Sequence, residues 1–262
     1  MHQILADSDD HGWILPDAAP RVIPLGLRTL VLGGWVSGCA GAHEAAREPV
    51  ATTATGAAGE DEAVDHHGSV HHRFERADEW VSLFEAPDRD AWQKPDEIVS
   101  LLKVEPGMTI VDLGAGTGYF LRRLSVAAGT TGRVLGLDVE PDMVRYMRER
   151  AVREGMGNVE ARLVPYDDPA LDDGSIDRVL IVDTWHHVAA RPAYARRLAR
   201  SLAPGGAVFV VDYTIESSRG PPRHLRLLPE AVARELREGG LAPEIATESL
   251  QEQYVVVGRS RE

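Results

Sequence analysis

From about residue 73 onward, short apolar runs alternate with stretches whose apolar positions recur every three to four residues. The runs 108–113 (MTIVDL), 133–138 (RVLGLD), 159–164, 177–183 (DRVLIVD) and 206–213 (GAVFVVDY) have the length and branched composition of buried strands. Helical spacing separates them. It predicts helices around 77–85, over 95–103 with Pro95 in the first turn, and over 118–127. Over 141–154, Met143, Val144, Met147, Ala151 and Val152 share one face, and over 191–202 Tyr194, Leu198 and Leu202 stand four apart. Leu228, Val232 and Leu236 stripe another helix, and 243–248 with 252–258 read as a closing hairpin. Apolar strands alternating with amphipathic helices predict an α/β domain over 73–262, its parallel sheet covered on both faces. No internal repeat is visible.

The first 65 residues follow neither pattern. Residues 22–38 (VIPLGLRTLVLGGWVSG) are apolar, with Arg21 and Arg28 near their start, too short and glycine-broken for a membrane span but suited to a signal core. They end Val36-Ser37-Gly38-Cys39, which resembles the bacterial lipoprotein signal, an aliphatic and two small residues before a lipidated cysteine. The resemblance implies a signal segment at 1–38 and a protein tethered to the membrane through Cys39, on the periplasmic face; the alternative is an apolar patch with a chance cysteine on a cytoplasmic protein. The stretch before residue 21, with its four acids, departs from that pattern, and a true start near Val22 would explain it. Residues 40–65 hold no aromatic and only Val50 and Val64 as large aliphatics, too little to offset ordering entropy. We therefore expect 39–72 to be a flexible linker. Within it His66, His67, His71 and His72 read as a solvated cluster rather than a metal site.

The composition is that of a soluble globular protein, 44% apolar and 26% charged. Acids outnumber bases 41 to 28, a net charge of −13, which disfavours a nucleic-acid partner. Cys39 is the only cysteine, so neither an intrachain disulfide nor a cysteine-based metal cluster is available. Lys94 and Lys103 are the only lysines, and both precede every tyrosine, which removes a Tyr-x-x-x-Lys reductase pair.

Candidate chemistry gathers at the carboxyl ends of the strands, where ligands bind in open α/β sheets. After the first strand comes Val111-Asp112-Leu113-Gly114-Ala115-Gly116-Thr117-Gly118-Tyr119-Phe120. Glycines let the backbone approach a ligand closely, and the helix that follows offers free N–H groups. Tyr119 stands where a dinucleotide G-x-G-x-x-G needs its last glycine, and the turn has no phosphate-loop lysine. The second strand ends Leu137-Asp138-Val139-Glu140, placing a carboxylate 20 residues after Gly118, suited to accept two ribose hydroxyls.

Together these motifs make 107–214 resemble the class I S-adenosylmethionine-dependent methyltransferase domain, nearest its small-molecule branch, which includes ubiquinone and menaquinone biosynthesis enzymes. Gly174-Ser175-Ile176-Asp177 and Leu202-Ala203-Pro204-Gly205-Gly206 fit the same branch. The resemblance implies a Rossmann-like, doubly wound sheet of seven strands, order 3-2-1-4-5-7-6, with the last antiparallel. It implies S-adenosyl-L-methionine as cofactor, its methionine end held by Asp112, Gly114, Ala115, Gly116, Thr117 and Gly118, and its ribose by Asp138 beside Val139. For the adenine amino group it points to Tyr166-Asp167-Asp168, with Asp167 preferred, although the usual Asp-Ala-Glu is absent. Asp183 and the following Thr184-Trp185-His186-His187 would line the sulfonium and the acceptor.

A neutral histidine is a natural base for an oxygen or carbon acceptor, so His186 and His187 are the catalytic candidates. They are equally well read as one packing residue and one helix cap, and Trp185 as a cofactor wall or a packing residue. Asp183 and Asp212 end neighbouring strands, but Tyr213 takes the place of the further ligand a metal site needs, so no metal is expected. The fourth strand lacks the Asn/Asp-Pro-Pro-aromatic run of amide-nitrogen methylating enzymes, and arsenite chemistry lacks its cysteines. Trp92 and Gln93 would cover the glycine turn, with Lys94 at its rim; equally, Trp80, Phe84 and Trp92 would simply pack against the domain. Arg219, Arg223, His224 and Arg226 would meet an acidic or carbonyl-bearing small molecule, or form a solvated surface loop. No obligate protein partner is evident, and the competing reading is a non-catalytic lipoprotein that keeps the fold as a binding module.

Overall fold

The computed structural model describes residues 76–261 and two short strands, Ala63–Val64 and Val70–His71. Cys39, the apolar run 22–38 and His66, His67 and His72 lie outside the described residues. The two short strands pair antiparallel, so the expected linker at 39–72 contains local order.

The main sheet has seven strands: β1 Thr109–Leu113, β2 Arg133–Asp138, β3 Val159–Leu163, β4 Ile176–Val182, β5 Leu202–Tyr213, β6 Ala242–Ile245 and β7 Gln253–Arg259. Their order is β3-β2-β1-β4-β5-β7-β6, as the resemblance implied. The first five pair in parallel, and β7 runs antiparallel to both its neighbours. Helices α1 Ala77–Phe84, α2 Arg89–Gln93 and α3 Pro95–Leu101 precede the sheet. Between and after the parallel strands come α4 Leu121–Ala128, α5 Pro141–Arg153, α6 Arg191–Ser201 and α7 Pro229–Glu238.

Alternation along each strand sorts the core into two layers. Val111, Leu113, Leu135, Leu137, Val208 and Val210 pack with Tyr194, Leu198, Val232 and Leu236 of α6 and α7. The intervening Ile110, Val134, Leu180, Phe209 and Val211 pack with Ile98, Leu121, Leu124, Val144 and Met147 of α3, α4 and α5. Burying one such side chain contributes about 1.5–3 kcal/mol, so the doubly covered sheet is the main source of rigidity beneath the site. Register aligns the strand ends: Leu113 faces Leu137 and Ile181, and Val182 faces Val211. Asp112, Asp138, Asp183 and Asp212 therefore share one rim.

Four local differences from the sequence reading have physical causes. The helix expected from residue 118 begins at Leu121, because Gly114, Gly116 and Gly118 all adopt left-handed φ. The expected helix to Leu202 stops at Ser201, and β5 starts early, through a register irregularity at a left-handed Gly205. The stretch 88–95 contains the short helix α2, closed by Lys94 in a left-handed conformation. A single 3₁₀ turn, Trp185–His187, follows β4. Among the described residues no helix is long and apolar enough to cross a membrane.

Candidate active site at the carboxyl rim of the sheet

The chain leaves β1 and leans across β2: the N–H groups of Gly114 and Ala115 both donate to the Leu137 carbonyl, at 2.8 and 3.0 Å. Left-handed φ at Gly116 (+55°) then turns its N–H onto Asp138, whose Oδ2 accepts it at 2.8 Å. The other Asp138 oxygen accepts the Glu140 N–H at 2.9 Å. An ionised carboxylate has about four lone-pair sites, so two backbone donors leave acceptor capacity for hydroxyls. Burial pushes Asp138 up to about 6, with those amides acting against the rise. Val139, half-buried, packs against the α6–α7 core layer.

Asp112 is buried behind the turn, and its Oδ2 has no hydrogen-bond partner, nor does the Thr117 hydroxyl. Burial raises Asp112 to about 7, partly offset by the Arg89 charge. An unpartnered buried carboxylate is costly unless a bound group supplies donors, so these orphans suit a ligand carrying a cation.

Parity along β4 would put Asp183 on the face of Asp212. A left-handed φ of +53° breaks the alternation there. The Asp183 carboxylate instead meets the opposite layer: Oδ2 accepts from Gln93 Nε2 at 3.2 Å and the Tyr213 hydroxyl at 3.3 Å, and Oδ1 from Gln253 Nε2. Gln93 also donates to Gln253 Oε1 at 3.0 Å. Burial lifts Asp183 to about 6, with Arg89 opposing. Asp183 is thus already engaged within the protein.

His186 is the histidine that the structure singles out. Both Asp212 oxygens lie on its Nδ1, at 2.9 and 3.0 Å, with the two side chains 2% and 0% exposed. Two carboxylate oxygens make Nδ1 the donor, which leaves Nε2 as the basic nitrogen. That Nε2 is buried and has no partner. Burial pulls the His186 pKa down, but Asp212 outweighs it and the net shift is upward. His187 is half-buried, its ring centroid 4.2 Å from that of His186.

Other expected site residues make the following contacts within the protein. Trp185 is core, not cofactor wall: its Nε1 donates to Glu235 at 2.9 Å and its ring meets Tyr194 edge-on. Asp167 is 82% exposed and lies 3.7 Å from Arg197 of α6, so its adenine role finds no support in its contacts. Asp168 faces the same arginine at 3.6 Å. Tyr166 reaches back to Glu140, hydroxyl to Oε1 at 3.3 Å. Lys94 is not at the turn but tied to Ser249, at 2.7 Å to its carbonyl and hydroxyl.

The arginines after β5 are spent within the protein rather than presented to an acceptor. Arg226 is buried and donates to the carbonyls of Pro221, Thr214, Ile215, Ser217 and Arg219. Arg223 pairs with Glu216, and Arg219 with Asp88 at 2.7 Å. Arg219 also sits 5.0 Å over the Trp92 ring, whose other contact is a stack on Tyr213 at 6.3 Å. Phe84, not Trp92, stands nearest Gly116, 3.4 Å from where a Cβ would be. Gln253 escaped the sequence reading, and so did the contacts that Arg89, Phe84 and Tyr213 make at the rim, because each acts across a distance in sequence that no local spacing encodes.

Residues 110–206 match a family model described as a methyltransferase domain. The chain is 32% identical to nocamycin O-methyltransferase of Saccharothrix syringae over 58% of this chain and 51% of that enzyme. It is 31% identical to demethylmenaquinone methyltransferase of Tropheryma whipplei over 60% of this chain and 64% of that one. The chain thus spans 51% and 64% of the length of these two relatives. A structure of a SAM-dependent methyltransferase from Aquifex aeolicus shares the fold, with TM-score 0.64, 24% identity, and coverage of 69% of this chain and 97% of that one. Residues 110–206 are thus similar to a methyltransferase domain, and the seven-stranded sheet shares the fold of the Aquifex aeolicus structure.

Proposed function

We propose that the protein transfers a methyl group from S-adenosylmethionine to a small-molecule acceptor. The observation that carries this reading is the Gly116 N–H donating to Asp138, which joins the glycine turn to the rim carboxylate. The residues fit the cofactor: Asp138 retains acceptor capacity for a ribose, and Asp112 holds a buried, unpartnered oxygen for an ammonium. Glycine at 116 keeps the turn open to a close neighbour. When bound, S-adenosylmethionine supplies a methyl group on a positively charged sulfur, already activated for displacement. The protein then has to align two reactants and exclude water. Calorimetry of the full-length chain with S-adenosylmethionine tests the reading. Absence of binding at millimolar cofactor would leave the rival, a fold kept as a non-catalytic module.

An oxygen or carbon acceptor must also lose a proton, and His186 is the proposed base. Asp212 holds Nδ1 and stabilises the imidazolium, so that Nε2 receives the proton. We expect His186→Gln to lower transfer by about 10²–10⁴-fold while cofactor affinity stays within threefold. The readout is incorporation of labelled methyl into an acceptor found by screening cell extract. A variant as fast as the wild type would exclude His186 as base.

The proposed membrane tether at Cys39 rests on the sequence alone. Two or three acyl chains hold a protein firmly where one does not. Labelled palmitate should enter the wild-type chain and partition it into detergent, and Cys39→Ser should abolish both. A soluble protein that still carries residues 1–38 would overturn the tether.

A further inference from the structure

We propose that Arg89 is a cofactor-positioning residue, its guanidinium receiving the carboxylate at the amino-acid end of S-adenosylmethionine beside Asp112, which receives the ammonium. The inference rests on the methyltransferase reading above and extends it to a residue outside the matched segment 110–206.

The rim presents an excess of acid, with Asp112, Asp138 and Asp212 buried and Asp183 half-buried at the ends of β1, β2, β5 and β4. Besides His186 on Asp212, Arg89 is brought among them as a permanent cation. It comes from α2, is 13% exposed, and its Cζ lies 4.0 Å above the ring of Tyr119, which follows the glycine turn directly. Two of its donors are committed: Nε to Gln93 Oε1 and Nη1 to the Phe84 carbonyl. Those bonds and the ring fix the plane of the guanidinium. Its Nη2 reaches Asp183 Oδ2 only at 3.9 Å, beyond hydrogen-bond range, so this nitrogen is held in place without a close hydrogen-bond partner.

An α-amino-acid end carries an ammonium and a carboxylate on one carbon. Recognising it takes one fixed anion and one fixed cation, each short of a partner. Asp112 Oδ2 is the anion, buried and unpartnered. Arg89 is the cation whose charge is felt at both Asp112 and Asp183. A planar fork matches a carboxylate better than a lysine point charge, and both lysines stand elsewhere in this structure's sequence, at 94 and 103. Phe84 completes the link, since the carbonyl that orients Arg89 belongs to the residue whose ring faces Gly116.

Decarboxylated S-adenosylmethionine tests this, because it differs from the cofactor by the carboxylate alone. Calorimetry of the full-length chain should show wild type preferring S-adenosylmethionine over the decarboxylated form by about 10- to 100-fold, the range of a charge-assisted hydrogen bond. Arg89→Ala should erase or reverse that preference, chiefly by weakening S-adenosylmethionine, and Arg89→Lys should restore part of it. Equal wild-type affinity for the two ligands overturns the inference. So does an Arg89→Ala chain that weakens both ligands by the same factor, the signature of a purely structural arginine. Should Arg89→Ala fail to fold, the wild-type comparison and Arg89→Lys still decide the matter. A wild-type chain that binds neither ligand overturns the methyltransferase reading itself, and the inference falls with it.

Discussion

Gly114→Ala is expected to cost about 2–5 kcal/mol of folding stability, the sum of left-handed backbone strain and an overpacked contact. Gly114 sits at φ +70°, and a Cβ built there would lie 2.4 Å from both Thr184 Cγ2 and Thr184 Oγ1. Thr184 has little freedom to yield, because its hydroxyl donates to the Val182 carbonyl at 2.8 Å and the residue lies between β4 and the turn Trp185–His187. Thr184→Ala in the same chain removes the two atoms at 2.4 Å and leaves its Cβ at 2.9 Å. The double variant should therefore recover at least about 1 kcal/mol relative to additivity. Urea denaturation of the four chains measures the coupling. A Gly114→Ala chain within 0.5 kcal/mol of wild type, on the order of an ordinary surface change, would refute this geometry for the turn.

Asp138→Ala should weaken S-adenosylmethionine binding by at least about tenfold, from loss of a charged acceptor contributing about 1.5–3 kcal/mol. Binding should also fall with pH. Burial pushes Asp138 up to about 6 and Asp112 to about 7, so acidification below neutrality protonates the groups proposed to accept ribose hydroxyls and an ammonium. Stability carries the opposite sign. The folded pKa of Asp138 lies above its ordinary 3.8, so between those values the folded chain binds the proton more tightly than the unfolded one. Ionising Asp138 therefore costs the native state above pH 6 or so, and that cost is relieved as pH falls. Asp138→Asn should gain stability relative to wild type on going from about pH 5 to about pH 8. A difference that stays flat across this window, or cofactor affinity unchanged in Asp138→Ala, would remove Asp138 from the site.

The strand runs, the glycine turn and the rim carboxylates were legible in the sequence because each is a local pattern. An apolar run such as DRVLIVD buries itself whatever its neighbours, and glycines at 114, 116 and 118 announce a turn that side chains would obstruct. The chain from residue 73 onward thereby determined its own fold class, the order of its elements and the rim where the candidate site residues gather. Tertiary structure decided which polar groups meet. Asp183 reads as a rim ligand, yet a left-handed backbone turns it into a network with Gln93, Tyr213 and Gln253, up to 90 residues away. His186 and His187 are indistinguishable in sequence, and only the pairing of β4 with β5 puts Asp212 against one of them. The arginines after β5 look free until the fold turns Arg226 onto five carbonyls, and Arg89 carries no local signal at all. Burial follows from side-chain chemistry at single positions, whereas a hydrogen bond needs two groups whose separation along the chain is set by how the sheet closes.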